Sequence, residues 1–345
     1  MAKVRVPATI AAMKKLGRVL LWLGAGVALI AVALVAWVLL TWDKVYDDVP
    51  MPALRASGDP AVIEHGRYLV RGPAHCSICH MGSLDEVLRS DAGEELPLRG
   101  GLEFPIGPIV VYHTANLTTD RETGIARYSD GQLFRMLRHN VKPDGRPSLA
   151  PLMPFANMAD DDLIAIVSYL RAGGAVRNEV PAAQWKPMGK AIVALLGPAA
   201  LQPVVGHTPP ATAPASAATI ERGKYLAHNV ANCMACHSPL DPTTGALTGP
   251  AFSGNATGER SMIDPAVMLR APNLTPHPSG ALSRFADEDA WIGRFRVGRV
   301  VRESIMPWGP YTHMTDDDLR AIYRYLHSLE PVVSDVGLTV ERVDD

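Results

Sequence analysis

The pentapeptide Cys76-Ser77-Ile78-Cys79-His80 decides how this sequence is interpreted, because it recurs 157 residues later as Cys233-Met234-Ala235-Cys236-His237. The two pentapeptides contain all 4 cysteines of the 345-residue chain. Four cysteines in an exported protein ordinarily form disulfides. Here the thiols are spaced identically and each pair is followed by a histidine. The pattern therefore indicates that the two cysteines and the histidine of each pentapeptide act together at one site.

The sequence around each pentapeptide is repeated as well, with order and spacing kept over about 110 residues, which indicates two copies of one domain. The matching segments are Gly66-Arg67-Tyr68-Leu69 with Gly223-Lys224-Tyr225-Leu226, Asn116-Leu117-Thr118 with Asn273-Leu274-Thr275, and Asp161-Asp162-Leu163 with Asp317-Asp318-Leu319.

Each copy has the pattern of a mostly helical domain. A short helix leads into the pentapeptide, and a loop rich in proline and glycine follows it. Two more helices are predicted in each copy, at residues 129–140 and 160–172 in the first and at 287–297 and 316–329 in the second. Apolar residues recur there at helical spacing, and the aspartates at the start favour the positive end of the helix dipole. We therefore expect an all-α fold.

Haem attachment explains the pentapeptides best. Two thiols three residues apart can form thioethers with the two vinyl groups of one haem, and the histidine directly after them then ligates the iron. A zinc site would need two such thiol pairs about 15–20 residues apart, and an exchange motif would leave both histidines unexplained. The residues predicted to bind two haem c groups are Cys76, Cys79 and His80, and Cys233, Cys236 and His237.

A low-spin iron needs a sixth ligand, and a methionine thioether is the usual one in electron carriers. Met153 and Met306 are each followed by a proline that fixes a loop, and we predict that they ligate iron together with His80 and His237. Two further methionines directly precede a predicted helix, where they would pack as hydrophobic staples. These are Met158 and Met314; histidine ligation by His113, His139, His277 or His313 is a further alternative.

Other polar residues are candidates for secondary roles near the haems. Asn116 and Asn273 could organise loops at the haem edge or simply form turns. Arginine pairs well with carboxylates, which makes Arg71, Arg99 and Arg270 candidates for binding haem propionates.

A stretch without charge near the N-terminus predicts a membrane anchor. Residues 19–42 are long enough, at about 1.5 Å rise per residue, to cross a hydrocarbon core of about 30 Å. The basic residues lie before this stretch, so the N-terminus should remain cytoplasmic and the rest should be periplasmic, as a single-pass protein of the inner membrane. A cleaved signal peptide is the alternative. The net charge of −2 argues against a nucleic-acid partner.

These features divide the chain into six predicted parts. They are a basic cytoplasmic tip (1–18), a transmembrane helix (19–42), a first domain (57–177), a Pro/Ala-rich linker (178–218), a second domain (219–332) and a C-terminal tail (333–345). The linker contains an apolar patch at residues 190–201 that could pack against a domain or enter the membrane interface.

The repeated segments resemble the cytochrome c subunit of bacterial membrane-bound alcohol and gluconate dehydrogenases. The resemblance covers about residues 60–330 and includes the stretch from Met306-Pro307-Trp308 to Met314-Thr315-Asp316-Asp317. It implies tandem cytochrome c domains and an electron carrier rather than an enzyme. Those subunits usually have three haem domains and a different anchor, whereas this sequence has two domains and an N-terminal helix.

The implied partners are a periplasmic or membrane-bound dehydrogenase as donor and a respiratory acceptor, namely quinone, an oxidase or a soluble cytochrome. Two other functions remain open from the sequence: a haem subunit of a terminal oxidase, and a diheme enzyme of the peroxidase or thiosulfate dehydrogenase type. The enzyme would need one iron with an open or unusual ligand, whereas the sequence offers a methionine in both copies.

Overall fold

A computed structural model of the chain describes residues 8–148, 153–241 and 244–343. The α-helices, in chain order, are α1 (Ala8–Thr41), α2 (Pro60–Arg71), α3 (Cys76–Cys79), α4 (Leu84–Asp91), α5 (Asp130–His139), α6 (Asp160–Ala172), α7 (Pro187–Leu196), α8 (Ile220–Tyr225), α9 (Cys233–Cys236), α10 (Glu288–Val297), α11 (Trp308–Tyr311) and α12 (Asp316–His327). The strands are β1 (Glu103–Ile106), β2 (Val110–His113), β3 (Gln184–Trp185), β4 (Asn255–Arg260), β5 (Val267–Ala271) and β6 (Val340–Arg342).

The prediction of an all-α fold is wrong, because the chain also forms two three-stranded sheets. Both sheets are antiparallel, with strand orders β1-β2-β3 and β4-β5-β6. In the first sheet Val110 pairs with Trp185, and in the second Val267 pairs with Arg342. The third strand of each sheet therefore comes from a segment predicted as linker or tail. The fold is mixed, with helices and a small sheet in each repeat.

Short strands explain why the first sheet was missed. The strands β1 and β2 have four residues each, too few for a clear alternation of apolar and polar positions. They meet at a turn that contains Gly107, whose φ of 45° lies in the left-handed region. Pro105 lies in β1, an edge strand, where its missing N–H costs no hydrogen bond within the sheet. Proline and glycine therefore gave this hairpin the appearance of a loop.

Three of the later helices, α5, α10 and α12, begin at side-chain caps. Ser129 and Gln132 form a capping box at the start of α5, and the Thr315 hydroxyl accepts a hydrogen bond from the backbone N–H of Asp318 in α12. The helix α6 has the predicted bounds, and α12 ends at His327, two residues before the predicted end. Such local signals are visible in the sequence.

A glycine allows two helices to pack closely in each repeat. A Cβ atom on Gly66 of α2 would lie 1.9 Å from the backbone oxygen of Ala165 in α6. A Cβ atom on Gly223 of α8 would lie equally close, at 1.9 Å, to the oxygen of Ala321 in α12. The helix before each pentapeptide is thereby held against the last helix of the same repeat.

Two tyrosine–aspartate hydrogen bonds join the first half of the chain (residues 57–185) to the second half (residues 219–342). The Tyr68 hydroxyl donates to Asp318 Oδ2 at 2.5 Å, and the Tyr225 hydroxyl donates to Asp162 Oδ2 at 2.6 Å. Burial raises the pKa of both phenols, so they remain protonated donors. Tyr225 and Asp318 are the repeat equivalents of Tyr68 and Asp162. The two contacts are therefore equivalent: in each, the tyrosine of one half donates to the aspartate of the other half.

Both buried aspartates also accept from a basic residue of their own half. His65 Nε2 lies 2.6 Å from Asp162 Oδ1, whereas the Arg222 guanidinium donates to both oxygens of Asp318, at 2.8 and 3.0 Å. His65 and Arg222 are 157 residues apart and therefore occupy equivalent positions. A neutralising partner is needed here because an unpaired buried carboxylate would cost several kcal/mol, on the order of 3–5.

The helix α1 is a candidate membrane anchor. Within its 27 residues from Lys15 to Thr41, the most apolar 18-residue stretch has a mean hydropathy of 2.6, and the side chains described there are exposed along nearly the whole length. The helix α7 packs against this helix. One continuous apolar core contains side chains from both halves of the chain.

Candidate haem-attachment sites

A single helical turn carries the two thiols of each pentapeptide. Both turns, α3 and α9, begin directly after a non-glycine residue in the left-handed region, His75 at φ 42° and Asn232 at φ 50°. This conformation turns the chain sharply into the helix. Side chains three residues apart on one turn are neighbours on the same face, so each pair of thiols faces one side.

The histidine after each turn has one ring nitrogen fixed by a backbone carbonyl. His80 Nδ1 lies 2.8 Å from the oxygen of Ala115, and His237 Nδ1 lies 2.8 Å from the oxygen of Pro272. Since a carbonyl only accepts, Nδ1 carries the proton and Nε2 keeps its lone pair for a metal. Burial lowers the pKa of both imidazoles, so the rings are in the neutral, ligating form.

The repeated Asn-Leu-Thr segment positions these carbonyl groups. Asn116 follows Ala115 directly, and its Oδ1 accepts hydrogen bonds from the backbone N–H and hydroxyl of Thr118, at 3.0 and 2.7 Å. Asn273 follows Pro272 and binds Thr275 in the same way, at 2.8 Å for both donors. Each asparagine also donates to a backbone oxygen beyond the last helix of its half. The asparagines thus organise the loop that faces the histidine.

The thiols lie in surroundings that disfavour the thiolate. Burial raises the pKa of Cys76 and Cys233 to about 12, whereas reactive cysteines of exchange motifs have a pKa below the usual value. All four cysteines are free of disulfides. Among the described residues, no three His, Cys, Asp or Glu side chains converge on a metal site. The raised pKa of these thiols does not fit the reactive thiolate of an exchange motif.

The structure distinguishes the methionine candidates by burial. Met158 and Met314 are fully buried, and their backbone oxygens accept from Arg138 and Arg296 at 2.6 and 2.7 Å. They lie in the core at the entry to α6 and α12. Met153 and Met306 are only partly buried, pack against the core and lie on loops. The backbone oxygens of both accept from the N–H two residues on, Phe155 and Trp308, so the two loops have the same local geometry.

One of the three candidate arginines has an unused donor. Arg71 donates through Nη2 to the oxygen of Leu96 and through Nε to the Tyr169 hydroxyl, but its buried Nη1 has no partner among the described residues. Its positive charge lowers the pKa of the Cys76 thiol, although burial outweighs this effect. Arg99 and Arg270 form ion pairs with Glu86 and Glu341, both at 2.6 Å. A buried cationic donor near Cys76 fits a haem propionate.

Sequence reasoning missed a side chain that contacts both pentapeptide regions. The buried Tyr311 ring meets the His75 ring edge-on, with centroids 5.9 Å apart, and its hydroxyl donates to the oxygen of Ala231 at 2.8 Å. His75 directly precedes Cys76, and Ala231 lies two residues before Cys233. Counted back from the last helix of each half, its repeat equivalent is Phe155, which has no hydroxyl, so the repeat gave no signal for this role.

The chain resembles cytochrome c subunits of several bacterial dehydrogenases, which confirms the resemblance seen in its motifs. It is 29% identical over 301 residues to the cytochrome c subunit of the alcohol dehydrogenase (quinone) of Gluconacetobacter polyoxogenes, covering 81% of this chain and 58% of that one. It is 31% identical over 319 residues to the gluconate 2-dehydrogenase cytochrome c subunit of Pantoea cypripedii, with 83% and 63% covered. The fructose dehydrogenase cytochrome subunit of Gluconobacter japonicus is 26% identical over 305 residues, with 84% and 57% covered.

The chain spans less than two thirds of the length of these relatives. It matches no protein-family model.

Proposed function

We propose, from this likeness and from the two pentapeptide sites, that the chain is a membrane-anchored diheme cytochrome c. It carries electrons between a dehydrogenase and a downstream respiratory acceptor, and it is an electron carrier rather than a catalyst. The observation that carries the proposal is the geometry shared by His80 and His237. Each ring is buried and neutral, its Nδ1 is fixed by a carbonyl 35 residues further on, and two thiols lie on the preceding turn.

The chain's own residues supply what haem c requires in both halves. Cys76 and Cys79, and Cys233 and Cys236, would form the thioethers, while His80 and His237 would ligate the irons through Nε2. Met153 and Met306 are the proposed sixth ligands, because they remain partly accessible whereas Met158 and Met314 are enclosed by core side chains. When bound, haem c supplies an iron that is oxidised and reduced by one electron.

Tyr311 supports transfer between the two sites. A single buried ring touches the residue before Cys76 and is hydrogen-bonded to the segment before Cys233. The buried Tyr311 side chain therefore connects the two pentapeptide regions directly. The two sites are adjacent parts of one body.

The proposed setting is the periplasmic face of the inner membrane. The helix α1 would span the bilayer once, with the basic N-terminus in the cytoplasm and both haem domains (57–177 and 219–332, extended by β3 and β6) outside. Confinement to the membrane surface raises the effective concentration of the carrier near membrane partners. The dehydrogenase names of the relatives support a dehydrogenase as the donor; quinone, an oxidase or a soluble cytochrome would be the acceptor.

Haem stoichiometry tests the proposal. The full chain, produced with a haem c maturation system and purified in detergent, should contain two covalently bound haems by pyridine haemochrome and intact mass. The variant Cys76→Ser/Cys79→Ser should keep one haem, and so should its matched partner Cys233→Ser/Cys236→Ser. One haem or none in the unmodified chain, or high-spin iron that rapidly binds an added ligand, would overturn the diheme carrier.

A further inference from the structure

The helix α7 has no part in the candidate haem sites and yet exposes large apolar side chains. Met188 is 54% exposed, Leu195 is 56% exposed and Leu196 is 76% exposed. The helix lies between the two halves in the chain and contains no acidic residue. Exposed apolar side chains in a contiguous patch ordinarily mark an interaction surface.

The two faces of α7 differ in what covers them. Gly189 and Val193, one turn apart, are buried, and a Cβ atom on Gly189 would lie 2.2 Å from the backbone oxygen of Ile109. Met188, Ile192 and Leu195 have the spacing i, i+4 and i+7 and form one stripe. The helix is therefore held to the first half by one face, whereas Met188 and Leu195 of the stripe are more than half exposed and Ile192 is partly buried.

The position of α7 relates this stripe to the membrane. The helix packs against α1, and the contact lies at the C-terminal end of α1. There Lys190 Nζ lies 4.7 Å from the ring centroid of Trp42, and the Trp42 and Trp185 rings are 5.7 Å apart. Val38 and Thr41, on the last turn of α1, are partly covered, unlike most of that helix. The helix α7 is thus level with the end of the apolar span.

Charge around α7 fits the headgroup layer of a bilayer. Lys186 and Lys190 lie at its start, Lys44 lies near its end beside Gly197, and residues 186–202 contain no Asp or Glu. Trp42, Tyr112 and Trp185 form an aromatic cluster beside it, with 5.9 Å between the Tyr112 and Trp185 rings. Aromatic rings and lysines are the residues that favour the interface of a membrane with anionic lipids.

We infer that α7 lies in the interfacial layer of the bilayer as a second membrane contact of the chain. Its stripe of Met188, Ile192 and Leu195 enters the acyl boundary, and its lysines meet phosphate groups of anionic phospholipids. The inference rests on the proposed function, because it requires α1 to span the membrane. A single spanning helix leaves rotation about its axis free, whereas a second contact beside it fixes which side of the first half faces the membrane.

Site-specific fluorescence tests this inference in the full chain. The haem-loaded protein has its four native thiols in thioethers, so Leu195→Cys introduces one reactive thiol for a small fluorophore, and Met188→Cys provides a second position on the stripe. The labelled protein is reconstituted in phosphatidylcholine vesicles that contain phosphatidylglycerol and a lipid with a nitroxide near the headgroup. Both labels should lose most of their fluorescence to the nitroxide lipid and be protected from aqueous iodide.

Two control positions distinguish a failure of this inference from a failure of the proposed function. Val333→Cys places the label at an 82% exposed apolar site of the second half, where iodide should quench it and the nitroxide lipid should not. Val27→Cys places it within α1, where a nitroxide deep in the acyl chain should quench it. If the Val27 label is not quenched, α1 is not in the bilayer, and the membrane part of the proposed function fails together with this inference.

The inference alone is overturned by two further results. If the Val27 label is quenched but iodide reaches the Leu195 and Met188 labels, α7 lies in water. If those labels are protected from both quenchers, protein covers the stripe, as a second copy of the chain would.

Discussion

The rings of His80 and His237 are oriented by a backbone oxygen that the sequence does not reveal directly. The residue types and spacing of Cys-x-x-Cys-His predict the thiols and the ligating ring. The partner of Nδ1 depends on a loop 35 residues away. Its only sequence signal is the repeated asparagine, Asn116 or Asn273, that follows the carbonyl. Reasoning from residues predicted a loop role for these asparagines but could not identify the acceptor.

The sixth ligands are a prediction that substitution can test. Met153→Ala and Met306→Ala should each change the spectrum of one haem and lower its reduction potential, because a thioether ligand stabilises the reduced iron. Redox titration followed by absorbance measures both effects, and the unchanged haem in each variant serves as an internal reference.

The core methionines provide the matched control for this experiment. Met158→Leu and Met314→Leu keep the apolar volume of the side chain, and such swaps usually cost less than about 1.5 kcal/mol in a core. Both variants should retain the spectrum and potential of the unmodified protein. An altered haem in Met158→Leu, with none in Met153→Ala, would show that the assignment is reversed.

The close contact between the first and last helices of each repeat depends on a glycine, which has no side chain. Gly66→Ala would place a methyl group 1.9 Å from the oxygen of Ala165, so α2 and α6 must separate. Overpacking of this kind typically costs about 1–3 kcal/mol. Thermal unfolding should show a lower Tm, by about 2–4 °C for each kcal/mol in a domain of this size.

Gly293 in α10 is a suitable control for this substitution. A Cβ atom there meets no atom within 4 Å. Gly293→Ala should therefore stabilise the protein by up to about 1 kcal/mol through helix propensity alone. Equal effects of Gly66→Ala and Gly293→Ala would mean that the close helix contact does not contribute to stability.

Local signals decided which elements could be predicted from the sequence. The helices α5, α6, α10 and α12 begin at caps or acidic turns and have an apolar period, and their predicted bounds were accurate to within about two residues. The hairpins carry no comparable signal, because β1 and β2 have only four residues each and Pro105 in β1 and Gly258 in β4 interrupt the pattern of a strand. The strands β3 and β6 have two and three residues. They form only because a distant hairpin offers them a partner, which no local pattern indicates.

The contacts between the halves were likewise beyond the sequence. Aspartates at the start of α6 and α12 were interpreted as favourable to the helix dipole, which is a local role. In the fold, Asp162 and Asp318 are also buried acceptors for Tyr225 and Tyr68 of the opposite half. A carboxylate at a helix N-terminus can fill both roles. The hydrogen bond to the tyrosine of the opposite half exists only in the tertiary structure.

We predict that the free energy of unfolding depends on pH through His65 in the first half, but not through the equivalent Arg222 in the second half. The hydrogen bond that His65 donates to Asp162 raises the pKa of His65, and burial of the ring opposes this effect. A raised histidine pKa stabilises the fold fully below the unfolded value of about 6.5, and this contribution is lost as pH rises through the folded value. Because His65 is partly exposed, the effect should remain below about 1 kcal/mol.

The variant His65→Arg isolates this effect, since it copies the pair already present at Arg222 and Asp318. The difference in Tm between the variant and the unmodified protein should grow as pH rises from about 6 to 8, where His65 loses its charge. Other titrating groups are common to both proteins and cancel in the comparison. A difference that is constant over this range would contradict the prediction.

The reciprocal tyrosine–aspartate contacts have the form of a symmetric homodimer interface, in which residue i meets j and j meets i. Within one polypeptide this association no longer depends on protein concentration, so dilution cannot separate the two sites. A true homodimer must also carry every substitution twice. A fused pair is released from that constraint, and the divergence of His65 from Arg222, and of Phe155 from Tyr311, is the freedom that fusion provides.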